Sequence, residues 1–117
     1  MEIGEHRFFK GFPAEAIDLL RKDADIVELA PSQVLFSEGD APDGLYLVLD
    51  GEINIVKVGA DGSSRTLATM KANDAFGEMG VFDQAPRSAG AQASGAGPVK
   101  LARIPGELLM GTLAASS

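Results

Sequence analysis

Between Asp25 and Ile104 the chain never holds one periodic pattern for long. Short β-prone runs alternate with Gly, Pro, Asp and Asn at intervals of roughly 8 to 12 residues, the signature of a sandwich or barrel. The runs are Ile26 to Leu29, Val34 to Ser37, Leu45 to Leu49, Glu52 to Val58, Arg65 to Met70, Ser88 to Ala93 and Val99 to Ile104. Asp50-Gly51 and Asp61-Gly62 each join two of these runs, and such pairs mark tight hairpins because the turn needs a positive φ. In Glu52 to Val58, alternation sets Ile53 and Ile55 on one face and Asn54 and Val56 on the other, so one face prefers an apolar interior. The predicted fold class is mainly β: an antiparallel jelly-roll barrel over about residues 25 to 104.

Two short helices are predicted to flank the barrel. Residues 13 to 23 start with Pro13, suited to a first helical position, and place Ile17 and Leu20 on one stripe. Glu15 early and Arg21 and Lys22 late match the helix dipole. A second helix is expected over about 105 to 114, with Leu109 and Leu113 four apart behind Pro105. At 117 residues and 45% apolar content, one modest core without disulfides or metals suffices, so residues 1 to 117 are read as one domain.

Composition narrows the function classes. There is no Cys, hence no thiolate metal site and no Cys nucleophile, and a cytoplasmic setting is expected. Met1 to Lys10 does not read as a secretory signal. The most apolar run, Leu45 to Leu49, is far short of the roughly 20 residues a bilayer-crossing helix needs, so no membrane role is expected. A net charge of −7 argues against direct nucleic acid binding by this chain, because such affinity comes mainly from Lys and Arg on phosphates. The same acidity means that any anion must be held by a few well-aimed donors. His6 is the only histidine, so a metal-dependent enzyme on a similar barrel lacks its ligands and no cofactor is expected. Ser63-Ser64 has no histidine partner and reads as a polar turn.

One cassette remains: Phe76-Gly77-Glu78-Met79-Gly80-Val81-Phe82-Asp83-Gln84-Ala85-Pro86-Arg87-Ser88-Ala89. Gly77 permits close backbone approach, the free N–H groups of a nascent helical turn suit an anion, and Arg87 can bring its planar fork to the same anion. Glu78 is wrong for a phosphate alone, but an ionised carboxylate accepts a hydroxyl hydrogen. Gly, Glu and Arg together therefore describe a ligand with a phosphate and a free 2′-hydroxyl held close together, as in a ribose closed into a cyclic phosphate. As an isolated pair, Glu78 and Arg87 would more simply be a surface ion pair worth about 0 to 1 kcal/mol; the surrounding cassette argues otherwise.

Gly77-Glu78-Met79-Gly80-Val81-Phe82 followed by Pro86-Arg87-Ser88-Ala89 resembles the phosphate-binding cassette of the cyclic-nucleotide-binding domains, and is especially similar to that of the bacterial catabolite-activator family. Glu38-Gly39-Asp40, Leu45 to Gly51 and Val99 to Ile104 extend the resemblance to about residues 8 to 113. It implies a ligand-binding set of Gly77, Glu78, Met79, Arg87, Ser88 and Ala89. In that set Glu78 takes the ribose 2′-hydroxyl, Arg87 takes the exocyclic phosphate oxygens, and backbone N–H groups of Gly77, Ser88 and Ala89 complete the cradle. Ile55, Leu67, Ala68 and Met70 match positions lining the base pocket.

The resemblance implies cAMP rather than cGMP as ligand, and a regulatory module without catalysis; without a closing helix over the base, selectivity is expected to be modest. It also implies a closing helix after the one near Pro105. The sequence given runs to Ser117, and a piece of a larger regulator with an unidentified effector is the expectation, the alternative being a stand-alone sensor that signals through a partner. The competing reading is a degenerate barrel serving only protein contacts.

Overall fold

A computed structural model describes residues 1–78 and 84–115, the side chains of Leu113 and Ala115 apart. Met79 to Asp83 lie outside the described residues. Two 3-10 turns, Ile3–Glu5 and Arg7–Phe9, precede helix α1 (Ala14–Asp23), and helix α2 (Gly106–Ala115) follows the last strand. Eight strands lie between them: β1 (Asp25–Leu29), β2 (Val34–Phe36), β3 (Leu45–Asp50), β4 (Ile53–Val58), β5 (Ser64–Met70), β6 (Ala75–Phe76), β7 (Gly90–Ala93) and β8 (Val99–Ile104). They form two four-stranded sheets, ordered β1-β8-β3-β6 and β2-β7-β4-β5. All neighbours are antiparallel, as the jelly-roll expectation required.

Strand β3 is buried on both faces, which explains why Leu45 to Leu49 is continuously apolar rather than alternating. Leu45, Leu47 and Leu49 face the helices and join Phe9, Leu20, Ala102, Ile104 and Leu109 in one core. Tyr46 and Val48 point the other way, into a second core between the sheets with Ile53, Phe76, Ala91, Val99 and Leu101. Leu20 of α1 is wholly buried, which stabilises the helix against the sheet by about 1.5 to 3 kcal/mol.

Several boundaries differ from the sequence expectation for physical reasons. Pro13 caps α1 from extended backbone rather than occupying its first turn, and its carbonyl accepts from the N–H groups of Ala16 and Ile17. The sixth predicted run, Ser88 to Ala93, begins only at Gly90, because Ser88 and Ala89 bend away before the ladder starts. The two-residue β6 is too short to carry a periodic signal; it pairs Ala75 and Phe76 with Leu47 and Tyr46. Asp50-Gly51 does not close the expected hairpin: β3 and β4 belong to different sheets, so this turn carries the chain from one sheet to the other, with Gly51 at φ of 86° and any Cβ there 2.5 Å from the Pro98 carbonyl oxygen.

Candidate functional site

β6 ends at Phe76 and β7 begins at Gly90, and the segments on either side of the undescribed residues face one cleft of about 330 Å³. Its apolar wall is Phe36, Ile55, Met70, Ala75 and Phe76; its polar wall is Gly77, Glu78, Arg87, Ser88 and Ala89, with Gly90 at the edge. Cassette positions separated in sequence thus meet in one cavity. Met79, expected in the same set, lies outside the described residues. Ile55 and Met70 line the cleft, whereas Leu67 and Ala68 do not. The β4–β5 register explains the absence of Leu67: Ile55 pairs with Ala68 and Val56 with Thr66, which leaves Leu67 as the extra residue of a bulge, 49% exposed.

Arg87 is 6% exposed although it carries a permanent charge. Its backbone is locked to the Glu38-Gly39-Asp40 turn: Gly39 N–H donates to the Arg87 carbonyl at 2.7 Å and Arg87 N–H donates to the Asp40 carbonyl at 2.8 Å. The turn is itself closed by Ser37 N–H on Asp40 Oδ2 at 2.8 Å. The guanidinium is then aimed by three acceptors. Nη1 donates to Gly77 O at 3.0 Å, and Nη2 donates to Asp43 Oδ1 at 3.0 Å and to Gly44 O at 2.9 Å. Phe36 covers one face, with its ring centroid 4.3 Å from Cζ. Nε is buried and has no acceptor among the described residues.

Gly77 has φ of 88°, and a Cβ there would stand 2.7 Å from Arg87 Nη1. The glycine therefore supplies both a left-handed backbone and the space the guanidinium occupies. Tyr46 completes the frame by donating its hydroxyl to Asp43 Oδ2 at 2.8 Å. Burial first, and then the Asp43 carboxylate, push the Tyr46 hydroxyl pKa up, so it stays a donor. Arg103 donates to the Asp43 carbonyl from the other side and pairs with Asp25.

Across the cleft mouth, Ser88 and Ala89 offer two backbone N–H groups and a hydroxyl that bond to nothing among the described residues; the one bond recorded at this pair is Lys57 Nζ donating to Ser88 O at 2.8 Å. A permanent cation, a buried orphan N–H and unengaged backbone N–H groups around one cleft are chemically suited to an anion, with an apolar shelf beside them. Among the described residues no group of three or more His, Cys, Asp or Glu side chains is placed to hold a metal, and Ser63 Oγ donates to Asp61 at 2.7 Å within its turn.

The family model described as cyclic nucleotide-binding domain matches residues 26–116. The chain belongs to the cyclic-nucleotide-binding domain family. This cyclic-nucleotide-binding domain is 34% identical, over 71% of its length, to a CRP-like cAMP-activated global transcriptional regulator of Mycobacterium tuberculosis, and spans 37% of that relative. It superposes with a TM-score of 0.82 and 30% identity on the N-terminal domain of a transcriptional regulator from Streptomyces coelicolor, covering 98% of this chain and 81% of that one. The regulatory domain of Toxoplasma gondii PKA with cAMP shares the fold, with a TM-score of 0.86 at 23% identity, over 98% of this chain and 45% of that one.

Sequence reasoning found the cassette side of the cleft and missed the frame behind it. Asp43, Gly44, Tyr46 and Phe36 carry no local motif; what marked them was only their place in or beside β-prone runs. No helix among the described residues is long and apolar enough to cross a membrane.

Proposed function

We propose that this domain captures a cyclic nucleotide, cAMP in preference to cGMP, and serves as a non-catalytic regulatory module for an effector that is attached to it or recruited by it. The observation that carries the reading is the buried Nε–H of Arg87, which has no acceptor among the described residues while Nη1 and Nη2 are both engaged. An unsatisfied buried donor costs about 1 to 3 kcal/mol, a cost removed when a phosphate oxygen arrives.

In this reading the exocyclic oxygens take Arg87 and the N–H groups of Gly77, Ser88 and Ala89. Glu78 accepts the 2′-hydroxyl, and the base rests on the apolar shelf of Phe36, Ile55 and Met70. Leu67 and Ala68, off the cleft wall, leave the base contact to that shelf. The preference for cAMP draws support from the relative described as cAMP-activated. Selectivity is modest, within roughly tenfold, because the described cleft offers the base edge little besides the Ser88 hydroxyl, and one hydrogen bond is worth about 1 kcal/mol.

Calorimetric titration with cAMP and with cGMP, repeated on Arg87→Ala, tests the proposal. Saturable binding that the substitution abolishes or strongly weakens is expected. Absence of heat with both nucleotides would favour the alternative, a barrel used only for protein contacts. A hundredfold preference for either nucleotide would refute the selectivity claim.

A further inference from the structure

We propose that Lys57, outside the cassette and on a different strand, is a positioning residue for the phosphate cradle; the inference rests on the cyclic-nucleotide reading above. Lys57 lies on β4, and its ammonium donates to Ser88 O at 2.8 Å while pairing with Glu38 Oε2 at 3.4 Å. Among the described residues no peptide bond is cis, and in a trans peptide the C=O and the following N–H point in opposite directions. Drawing the Ser88 carbonyl toward Lys57 therefore turns the Ala89 N–H away from Lys57.

We assign that N–H to the cleft on two observations. Ala89 lines the cleft, and its N–H meets no acceptor among the described residues. The segment has no ladder of its own to fix this peptide, since β7 begins at Gly90. Lys57 is the one side chain holding the Ser88–Ala89 peptide plane among the described residues. Glu38, in turn, steadies Lys57 and sits beside Gly39, which grips the Arg87 carbonyl. One short turn thus orients both halves of the anion site: Arg87 through the backbone, and the Ala89 amide through Lys57.

The ion pair itself is poorly placed to stabilise the fold. The Lys57 and Glu38 side chains are 44% and 42% exposed, and exposed pairs contribute little. The function assigned to Lys57 is therefore the orientation of a donor.

Calorimetry with cAMP on the unmodified chain, Lys57→Met, Lys57→Arg and Glu38→Gln tests the assignment. Lys57→Met should weaken binding roughly fivefold, the effect of one misaligned donor, while leaving the melting temperature nearly unchanged. Lys57→Arg, which can still reach the carbonyl, should recover most of the loss. Glu38→Gln decides between positioning and simple charge attraction. Removing a negative charge near an anion site should tighten binding if Lys57 acts only through its field, and weaken it if Glu38 holds Lys57 in place. The Ala89 amide resonance should move downfield on cAMP addition in the unmodified chain and move less in Lys57→Met. No binding by the unmodified chain would sink the functional reading. Equal affinity of Lys57→Met and the unmodified chain, or tighter binding by Glu38→Gln, would overturn this inference alone.

Discussion

Arg87 donates through Nη2 to Asp43 Oδ1 at 3.0 Å, from the segment before β7 to the loop before β3, and the pair joins parts of the chain 44 residues apart. The asymmetry of the pair matters: the Arg87 side chain is 5% exposed and that of Asp43 52%. The aspartate stays hydrated while it aims a buried cation, and the apolar ring of Phe36 fixes the plane. Arg87→Ala should lower cAMP affinity at least tenfold, since truncating one partner of a buried charge-assisted contact typically costs several kcal/mol. Arg87→Lys should also bind poorly, because an ammonium cannot present the planar fork that spans Gly77 O, Asp43 and a phosphate. Calorimetry on folded variants checks both.

Gly77→Ala tests the close approach of the backbone to the guanidinium. The new Cβ would stand 2.7 Å from Nη1 on a backbone with φ of 88°, so it both strains the chain and displaces the fork. Loss of stability by about 1 kcal/mol or more and a drop in cAMP affinity are expected together. Thermal melts paired with titration would register them, and an unperturbed variant would contradict the geometry.

Tyr46 is the only tyrosine, so tyrosinate absorbance reports on it alone. Its folded pKa lies above the ordinary 10.0 because burial and the Asp43 carboxylate oppose the phenolate. A raised folded pKa gives stability that is present below 10 and lost as pH climbs beyond it. No tyrosinate signal should appear near pH 10 until the domain unfolds. Tyr46→Phe should keep the stack on Phe76 but lose the Asp43 hydrogen bond, at a cost of about 1 kcal/mol.

His6 is 2% exposed and accepts from Phe8 N–H through Nδ1 at 3.0 Å, so its proton sits on Nε2, which donates to the Asp74 carbonyl at 3.0 Å. Burial lowers its pKa below 6.5, and the nearby Arg7 charge acts in the same direction. The unfolded chain then binds the extra proton first, and stability should fall as pH drops below about 6.5. Urea denaturation from neutral to mildly acidic pH should show this slope, and His6→Gln should flatten it.

Glu78 faces the cleft with its carboxylate exposed. If it accepts the 2′-hydroxyl, 2′-deoxy-cAMP should bind distinctly worse than cAMP, because a group built to accept a hydrogen bond is left unpaired. Glu78→Gln should narrow the gap between the two ligands. Equal binding of both to the unmodified domain would leave Glu78 a structural role.

Much of this architecture is written locally. Asp61-Gly62 specifies the β4–β5 hairpin, Asp50-Gly51 specifies a turn but not that the chain changes sheet there, and the apolar faces of β3 and β4 specify which surfaces must be covered. The cassette is also local, since the spacing from Gly77 to Ala89 brings a flexible backbone, a carboxylate and a fork into one stretch. The tertiary structure decided what stands behind them. Asp43, Gly44, Tyr46 and Phe36 aim Arg87 only because two sheets bring distant strands together, and Leu67 is turned off the cleft by a bulge that no alternation pattern reveals. Local sequence dictates backbone geometry and which groups are present. The direction of a buried charge depends on acceptors whose approach is set by strand pairing, and pairing is a property of the whole sheet.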